Sequence, residues 1–162
     1  MLQIVPAVVI TPGLDKINPY ARLGMIVGIL PSVVQKYNST SNDNPSLKAT
    51  HTYDAKTKLY GGVAMGFTAA CGAAFNLNEK LAFFGEIVFN GISYAPSKGK
   101  IMTWTEDGVD QLATAVTKDK EWTFEKKFNH DEVIPDGSPD KQPKMSFNFS
   151  NVELNVGIKF NL

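Results

Sequence analysis

Hydrophobic and polar residues alternate with a period of two along most of the chain, which indicates β-strands rather than helices. The C-terminal segment shows the pattern most clearly. There, apolar residues fill every even position from Val152 to Leu162, and polar residues or glycine fill every odd position from Asn151 to Asn161. Because successive side chains of a strand point to opposite faces, this segment has one wholly apolar face and one polar face.

Four further segments alternate in the same way. The run 59–76 places its larger apolar residues on one face and mostly glycine and alanine on the other, which suits the narrow interior of a small barrel. The complete set of predicted strands is 2–12, 19–37, 59–76, 81–95 and 145–162. The pattern therefore predicts an all-β protein.

The connections between these strands are of two kinds. Gly13–Asn18 and Leu77–Lys80 are short and rich in turn-forming residues, whereas 38–58 and 96–144 are long and polar. Outer-membrane barrels alternate short periplasmic turns with long outer loops. We therefore predict an antiparallel, up-and-down transmembrane β-barrel as the single domain 1–162, with 38–58 and 96–144 as its outer loops.

The longer loop is expected to contain strands of its own. Ile101–Thr105 and Glu121–Phe128 alternate well enough to form a hairpin. The loop also holds 18 of the 32 charged residues, which fits a solvated excursion beside an apolar body.

Composition excludes several classes of protein. Lysine plus arginine and aspartate plus glutamate number 16 each, so no net charge favours nucleic acid, and we predict no nucleic-acid partner. The single cysteine, Cys71, excludes an internal disulfide, and no apolar run approaches the ~20 residues of a spanning helix. The opening residues lack a basic start and contain Pro6, so they would make a poor signal peptide. We therefore expect a processed chain or a fragment.

The end of the chain resembles the C-terminal signal that the barrel-assembly machinery reads in outer-membrane β-barrels. The matching positions are Asn155, Gly157, Phe160 and Leu162. The segments Asn18–Gly24 and Leu77–Glu86 resemble strand entries of the porin-like β-barrel proteins common in Bacteroidetes-type bacteria. Leu162 departs from the terminal phenylalanine of proteobacterial members.

This resemblance implies a place in the cell outer membrane. It also implies contact with outer-membrane lipid and with the barrel-assembly machinery, and a structural, adhesive or narrow-pore role. The residues themselves name no substrate.

The number of predicted strands is odd. Bacterial barrels are closed and have an even number of strands, and an open edge in lipid costs several kcal/mol for each unsatisfied backbone group. One solution is that the chain is the C-terminal part of an eight-stranded barrel, whose missing strands or another polypeptide complete it. The other is that 47–56 and 120–128 complete the wall. We favour the first solution.

Four charged residues take the polar phase of the predicted strands: Arg22, Glu86, Glu153 and Lys159. Charges inside a narrow barrel are tolerated when they are paired, so we predict a network that plugs the interior. A constriction that filters ions is the alternative.

No catalytic motif is present, and neither an enzyme nor a cofactor is predicted. His51 and His130 lie in the long polar segments without a third ligand at fixed spacing, so no metal site is predicted. The competing hypothesis is a soluble, lipocalin-like β-barrel that binds a small apolar ligand. It differs in pointing the large apolar residues inward.

Overall fold

The computed structural model describes residues 1–44, 49–127 and 133–160 and divides the chain into two compact units. The first unit comprises Met1–Ile29, Val63–Tyr94 and Phe147–Leu162, and the second comprises Leu30–Gly62 and Ala95–Ser146. The elements in chain order are β1 (Leu2–Ile4), β2 (Ala7–Ile10), β3 (Ile17–Ile29), β4 (Ser32–Asn44), β5 (Ala49–Tyr60), β6 (Ala64–Asn76), β7 (Leu81–Tyr94), β8 (Lys98–Glu106), β9 (Val109–Asp110), α1 (Thr117–Lys120), β10 (Glu121–Glu125), β11 (Asp140–Pro143) and β12 (Phe147–Phe160). The prediction of an all-β protein is confirmed.

The first unit is a curled antiparallel sheet that forms half a barrel. Its strand order is β1-β3-β6-β7-β12, and β2 also pairs with β3. β1 and β2 act as one strand, since the register continues unchanged from Ile4 opposite Val27 to Ala7 opposite Gly24. The break lies at Pro6, which has no N–H to donate to the ladder. The sheet therefore has five strand positions.

Short turns join neighbouring strands at one end of this sheet. At the start of β3, the side-chain oxygen of Asn18 accepts hydrogen bonds from the backbone N–H groups of Gly13 and Leu14 at 3.1 and 3.2 Å. The chain then reverses within six residues, as the turn chemistry of this segment predicts. The turn between β6 and β7 closes with the N–H of Leu77 donating to the carbonyl of Leu81.

The two faces of the curled sheet differ in exposure as the alternation predicts. On β3, β6 and β7 the even-numbered residues lie on the concave face and are buried or half-buried. The large odd-numbered residues lie on the convex face and are exposed, except for the half-buried Val27 and Leu81. On β12 the phase is reversed, because Val156 pairs with Gly85 and Asn155 with Glu86. Val156 is 80% exposed.

The half-barrel does not close. Among the described residues, β12 pairs only with β7, and the β1–β2 strand pairs only with β3. The predicted antiparallel barrel is therefore met only in part, by a half-barrel that the described residues do not close. The described parts of 47–56 and 120–128 do not complete the wall, because β5 and β10 pair within the second sheet. Residues 47, 48 and 128 lie outside the described residues.

The second unit contains a separate sheet of order β11-β10-β8-β5-β4, with β9 paired to β8. Much of the predicted outer loop 38–58 is a regular hairpin of β4 and β5. The predicted strand 19–37 divides at Leu30, whose φ of 53° ends β3 before β4 begins. The predicted strand 59–76 divides at Gly61 and Gly62, which both have positive φ. The period-two pattern does not mark these breaks.

The predicted hairpin of Ile101–Thr105 with Glu121–Phe128 is not found among the described residues, because Ile101–Thr105 pairs with β5. β8 and β10 do run antiparallel, but through Lys98–Lys100 and Glu121–Thr123, with Gly99 opposite Trp122. The indole of Trp122 lies over Gly99, where a Cβ would overlap the ring. None of the helices in the described ranges is long and apolar enough to cross a membrane.

Gly72 on β6 offers a direct test of how tightly the curled sheet is packed. A Cβ at this position would lie 2.7 Å from the Cβ of Glu86 and would overlap the carbonyl oxygen of Gly85. We expect Gly72→Ala to lower the free energy of unfolding by about 1–3 kcal/mol, measured by urea denaturation, because the cross-strand backbone must shift.

Gly85 supplies the matched control, since a Cβ there meets its nearest atoms at 4.0 Å. Gly85→Ala should change the free energy of unfolding by less than about 0.5 kcal/mol. Equal losses for the two variants would contradict the pairing of Gly72 with Glu86.

Candidate functional site

A row of four paired positions crosses the concave face of the curled sheet. Tyr20 on β3 lies opposite Gly72 on β6, Gly72 opposite Glu86 on β7, and Glu86 opposite Asn155 on β12. Gly72 has no side chain, so the Tyr20 ring can extend across β6 towards β7. The row therefore brings polar groups from three strands to one point.

Glu86 is the centre of this cluster and is only 8% exposed. Its Oε1 accepts from Nη2 of Arg22 at 3.0 Å and from Nδ2 of Asn155 at 3.3 Å. Its Oε2 accepts from the hydroxyl of Tyr20 at 3.0 Å. A buried carboxylate is costly unless it is paired and hydrogen-bonded, and Glu86 meets both conditions. We call Tyr20, Arg22, Glu86 and Asn155 the Glu86 cluster.

The structure brings together two of the four predicted interior charges. Arg22 and Glu86 form an ion pair, with the side chain of Arg22 30% exposed. Glu153 lies on the same face but accepts instead from the side-chain amides of Asn90 and Asn151 at 3.1 and 2.6 Å. Lys159 lies opposite Ala82 on the concave face, and no carboxylate of the described residues forms an ion pair with it.

The Glu86 cluster lies between two clefts of the concave face. One cleft of about 650 Å³ is lined by polar residues that include Thr68, Asn90 and Glu153. The other, of about 390 Å³, is lined by Tyr20, Glu86 and Lys159 among others. Arg22 lines both clefts, so the ion pair lies between them. This arrangement can neutralise charge and fill space.

The residues of the predicted assembly signal take distinct places on β12. Asn155 belongs to the Glu86 cluster. Gly157 lies opposite Phe84, and the Phe84 ring covers the position where a Cβ of Gly157 would stand. Phe160 lies on the convex face opposite Leu81 and is exposed. Leu162 lies outside the described residues. The covering of a strand glycine by an aromatic ring helps to fix the register of β12.

Sequence reasoning missed Tyr20 as a partner of Glu86. The available signal was its position two residues before Arg22, which places both side chains on the same face of β3. The pairing itself depends on which residues lie opposite one another across three strands. A single strand's pattern does not contain that information.

A second polar cluster lies at the turn between β8 and β9. The carboxylate of Asp107 accepts the backbone N–H of Thr52 at 2.7 Å and lies 2.8 Å from Nδ1 of His51. These contacts hold the pKa of Asp107 below its ordinary value, and the hydrogen bond from the Thr52 backbone contributes more than the one with His51. The cluster joins two chain segments more than fifty residues apart, which makes it a structural clamp.

Histidine, cysteine and carboxylate side chains are scattered in the described ranges. No group of three or more of them there is placed to hold a metal ion. His130, with its neighbours Asp131 and Glu132, lies outside the described residues. His51 contacts Asp107.

The ion pair of the Glu86 cluster generates the next prediction. Glu86→Gln should lower the free energy of unfolding by about 1–3 kcal/mol, because it leaves Arg22 without its counter-charge. This is less than the ~3–5 kcal/mol of a fully buried pair, since Arg22 is partly exposed. Urea denaturation of Glu86→Gln, Arg22→Met and the double variant gives the coupling energy.

Glu153→Gln is the control, because its partners are neutral amides and its side chain is exposed. Glu153→Gln should lower the free energy of unfolding by less than about 0.5 kcal/mol. Additive losses for Arg22→Met and Glu86→Gln would show that the two side chains do not interact in solution.

The clamp at Asp107 should respond to acid. Because its folded pKa lies below the unfolded value, Asp107 stabilises the turn fully above the unfolded pKa, and this contribution is lost as pH falls through the folded pKa. Hydrogen exchange of the Thr52 amide should therefore lose protection at acid pH in the wild-type chain. Asp107→Asn should show low protection already at neutral pH, with little further change on acidification. A wild-type protection factor that stays constant through the acid range would contradict this account.

Comparison with known proteins gives no family assignment. The chain matches no family model, no curated protein and no solved structure. The function is therefore inferred from the two faces of the curled sheet and from its free edges.

Proposed function

We propose that this chain forms five adjacent wall strands of a transmembrane β-barrel in a bacterial outer membrane, with a structural role in which a polar cluster obstructs the interior. The convex face is the observation that carries the proposal. On β3, β6, β7 and β12 this face has no charged residue, and its large apolar side chains are exposed apart from Val27 and Leu81, which are half-buried. A protein in water rarely exposes so continuous an apolar surface.

The length of the apolar band supports a membrane environment. On β12 the exposed apolar residues run from Val152 to Phe160, nine residues, and on β6 from Met65 to Phe75, eleven residues. A strand tilted by about 45° needs ~9–11 residues to cross the hydrocarbon core. The band on each of these strands is therefore long enough to cross a bilayer once.

The soluble, lipocalin-like alternative requires the reverse arrangement. A soluble barrel directs its large apolar residues inward to hold an apolar ligand. Here the concave face carries the Glu86 cluster and small residues of β6, while Leu154 on the convex face is 76% exposed. The distribution of side chains favours the membrane-embedded barrel.

The direction of the edge strands limits how the barrel closes. Every pairing in the curled sheet is antiparallel, so β12 runs in the same direction as β1 and β2. Antiparallel closure then needs an odd number of further strands, and three give the eight of the smallest such barrels. A second copy in the same membrane orientation offers edges of the same direction only. We infer that the remaining strands come from a different polypeptide segment.

The end of β12 supports a further element of this proposal. Its polar, glycine and apolar positions resemble the signal read by the barrel-assembly machinery, and β12 is an edge strand with a free side. We propose that this machinery is the assembly partner and that outer-membrane lipid surrounds the convex face.

Charge placed on each face of β12 tests the proposal. Val156→Arg should reduce the stability of the chain folded in phosphatidylcholine vesicles by about 2–4 kcal/mol, because it places a guanidinium group in hydrocarbon. Asn155→Arg is the matched control on the adjacent residue, where the new charge lies beside Glu86. Urea denaturation in the vesicles, followed by circular dichroism, measures both variants.

The opposite order of stability, or no difference between the variants, would reject lipid contact of the convex face. A wild-type chain that remains monomeric and folded in detergent-free buffer would also count against the proposal.

A further inference from the structure

One face of the second sheet concentrates lysine. On β4, β5 and β8 the register places five lysines on the same face, and Asp54 is the one carboxylate found with them among the described residues of those strands. The five lysines are Lys36, Lys56, Lys58, Lys98 and Lys100. We call them the lysine face. The balanced charge of the whole chain conceals this local excess.

The lysines are arranged in a way that opposes folding of the sheet by itself. Lys36 lies directly opposite Lys56, and Lys58 lies directly opposite Lys100. Like charges directly opposite each other destabilise an antiparallel pair. A sheet that retains two such pairs would be stabilised by an external anion.

The carboxylates near the lysine face do not neutralise it. Asp54 is engaged by the side-chain amide of its cross-strand neighbour Asn38. Glu121 on β10 lies opposite Lys100 but forms no ion pair with it. Within the described part of the chain, none of the five ammonium groups has a carboxylate at ion-pair distance.

Short connections join strands of the second sheet to strands of the curled sheet. Lys98 follows Tyr94, the last residue of β7, by four residues, and Lys58 precedes Val63 by five. A chain spans at most ~3.6 Å per residue, so covalent geometry keeps Lys98 within about 15 Å of the end of β7. Headgroups at a bilayer surface occupy this range of distance from the end of a spanning strand.

We propose that the lysine face binds the phosphate groups of anionic lipid headgroups. This inference rests on the proposed membrane location and adds the lipid class that the barrel prefers. Lysine near an anionic membrane surface attracts it with a strength that falls with ionic strength. The opposite face of the second sheet carries the aromatic row Tyr37, Tyr53 and Trp104 instead.

Native mass spectrometry of the full chain in a neutral detergent tests this proposal, with phosphatidylglycerol and phosphatidylcholine as probes. The wild-type chain should retain phosphatidylglycerol at least about tenfold more tightly, and added salt should reduce this preference. The triple variant Lys56→Gln, Lys58→Gln, Lys100→Gln should lose at least about tenfold in that preference.

A second triple variant, Lys120→Gln, Lys126→Gln, Lys127→Gln, removes the same charge outside the lysine face and should keep the wild-type preference. An equal loss in both triple variants would show that only net charge matters and would overturn the proposal. Displacement of phosphatidylglycerol by equimolar inorganic phosphate or by double-stranded DNA would also overturn the assignment to lipid headgroups.

Insertion into phosphatidylcholine vesicles, followed by circular dichroism, separates this proposal from the proposed function. Both triple variants should insert as the wild-type chain does, because their substitutions lie outside the convex face. Because the proposed barrel needs further strands to close, the decisive result is association with the vesicles, measured by flotation. A wild-type chain that does not associate with them would reject lipid contact of the convex face, and association without preference for phosphatidylglycerol would reject the lysine face alone.

Discussion

The pleat of the antiparallel sheet is the constraint on which the other features of this protein depend. It sends successive side chains to opposite faces, so a period-two sequence becomes a sheet with one apolar and one polar side. A shift of β12 by one residue would turn Glu153, Asn155 and Lys159 towards the convex face. Both the apolar band and the Glu86 cluster therefore rely on the same register.

Small residues make this register compatible with a tightly curled sheet. Gly72 lets the Tyr20 side chain reach Glu86 across β6, and Gly157 leaves room for the Phe84 ring. Glu86 then receives donors from β3 and β12, the strands on either side of the β6–β7 pair. Because a buried carboxylate is stable only with such partners, the cluster favours one alignment of these strands over its neighbours.

The free edges and the lysine face share one physical property. Each is a set of polar groups whose partners do not lie within the described part of the chain: backbone groups on β12 and on the β1–β2 strand, and ammonium groups on the second sheet. In lipid, unpaired backbone groups are strongly unfavourable, which makes further strands necessary. At a bilayer surface, ammonium groups can bind the phosphate groups of anionic lipids. The membrane proposal thus supplies partners for both sets.

The sequence alone determined the all-β fold, the five strand positions of the curled sheet and the face taken by each residue of β12, because these follow from alternation and turn chemistry within one segment. It also placed Arg22 and Glu86 on a common face, although it did not reveal that they pair. Tertiary structure decided the division of 19–37 at Leu30, the place of β5 and β10 in the second sheet rather than the curled one, and the gathering of lysines from three strands. Each of these depends on which strand lies beside which, and at what register. Period-two alternation specifies the face of a residue and not its neighbour on the next strand.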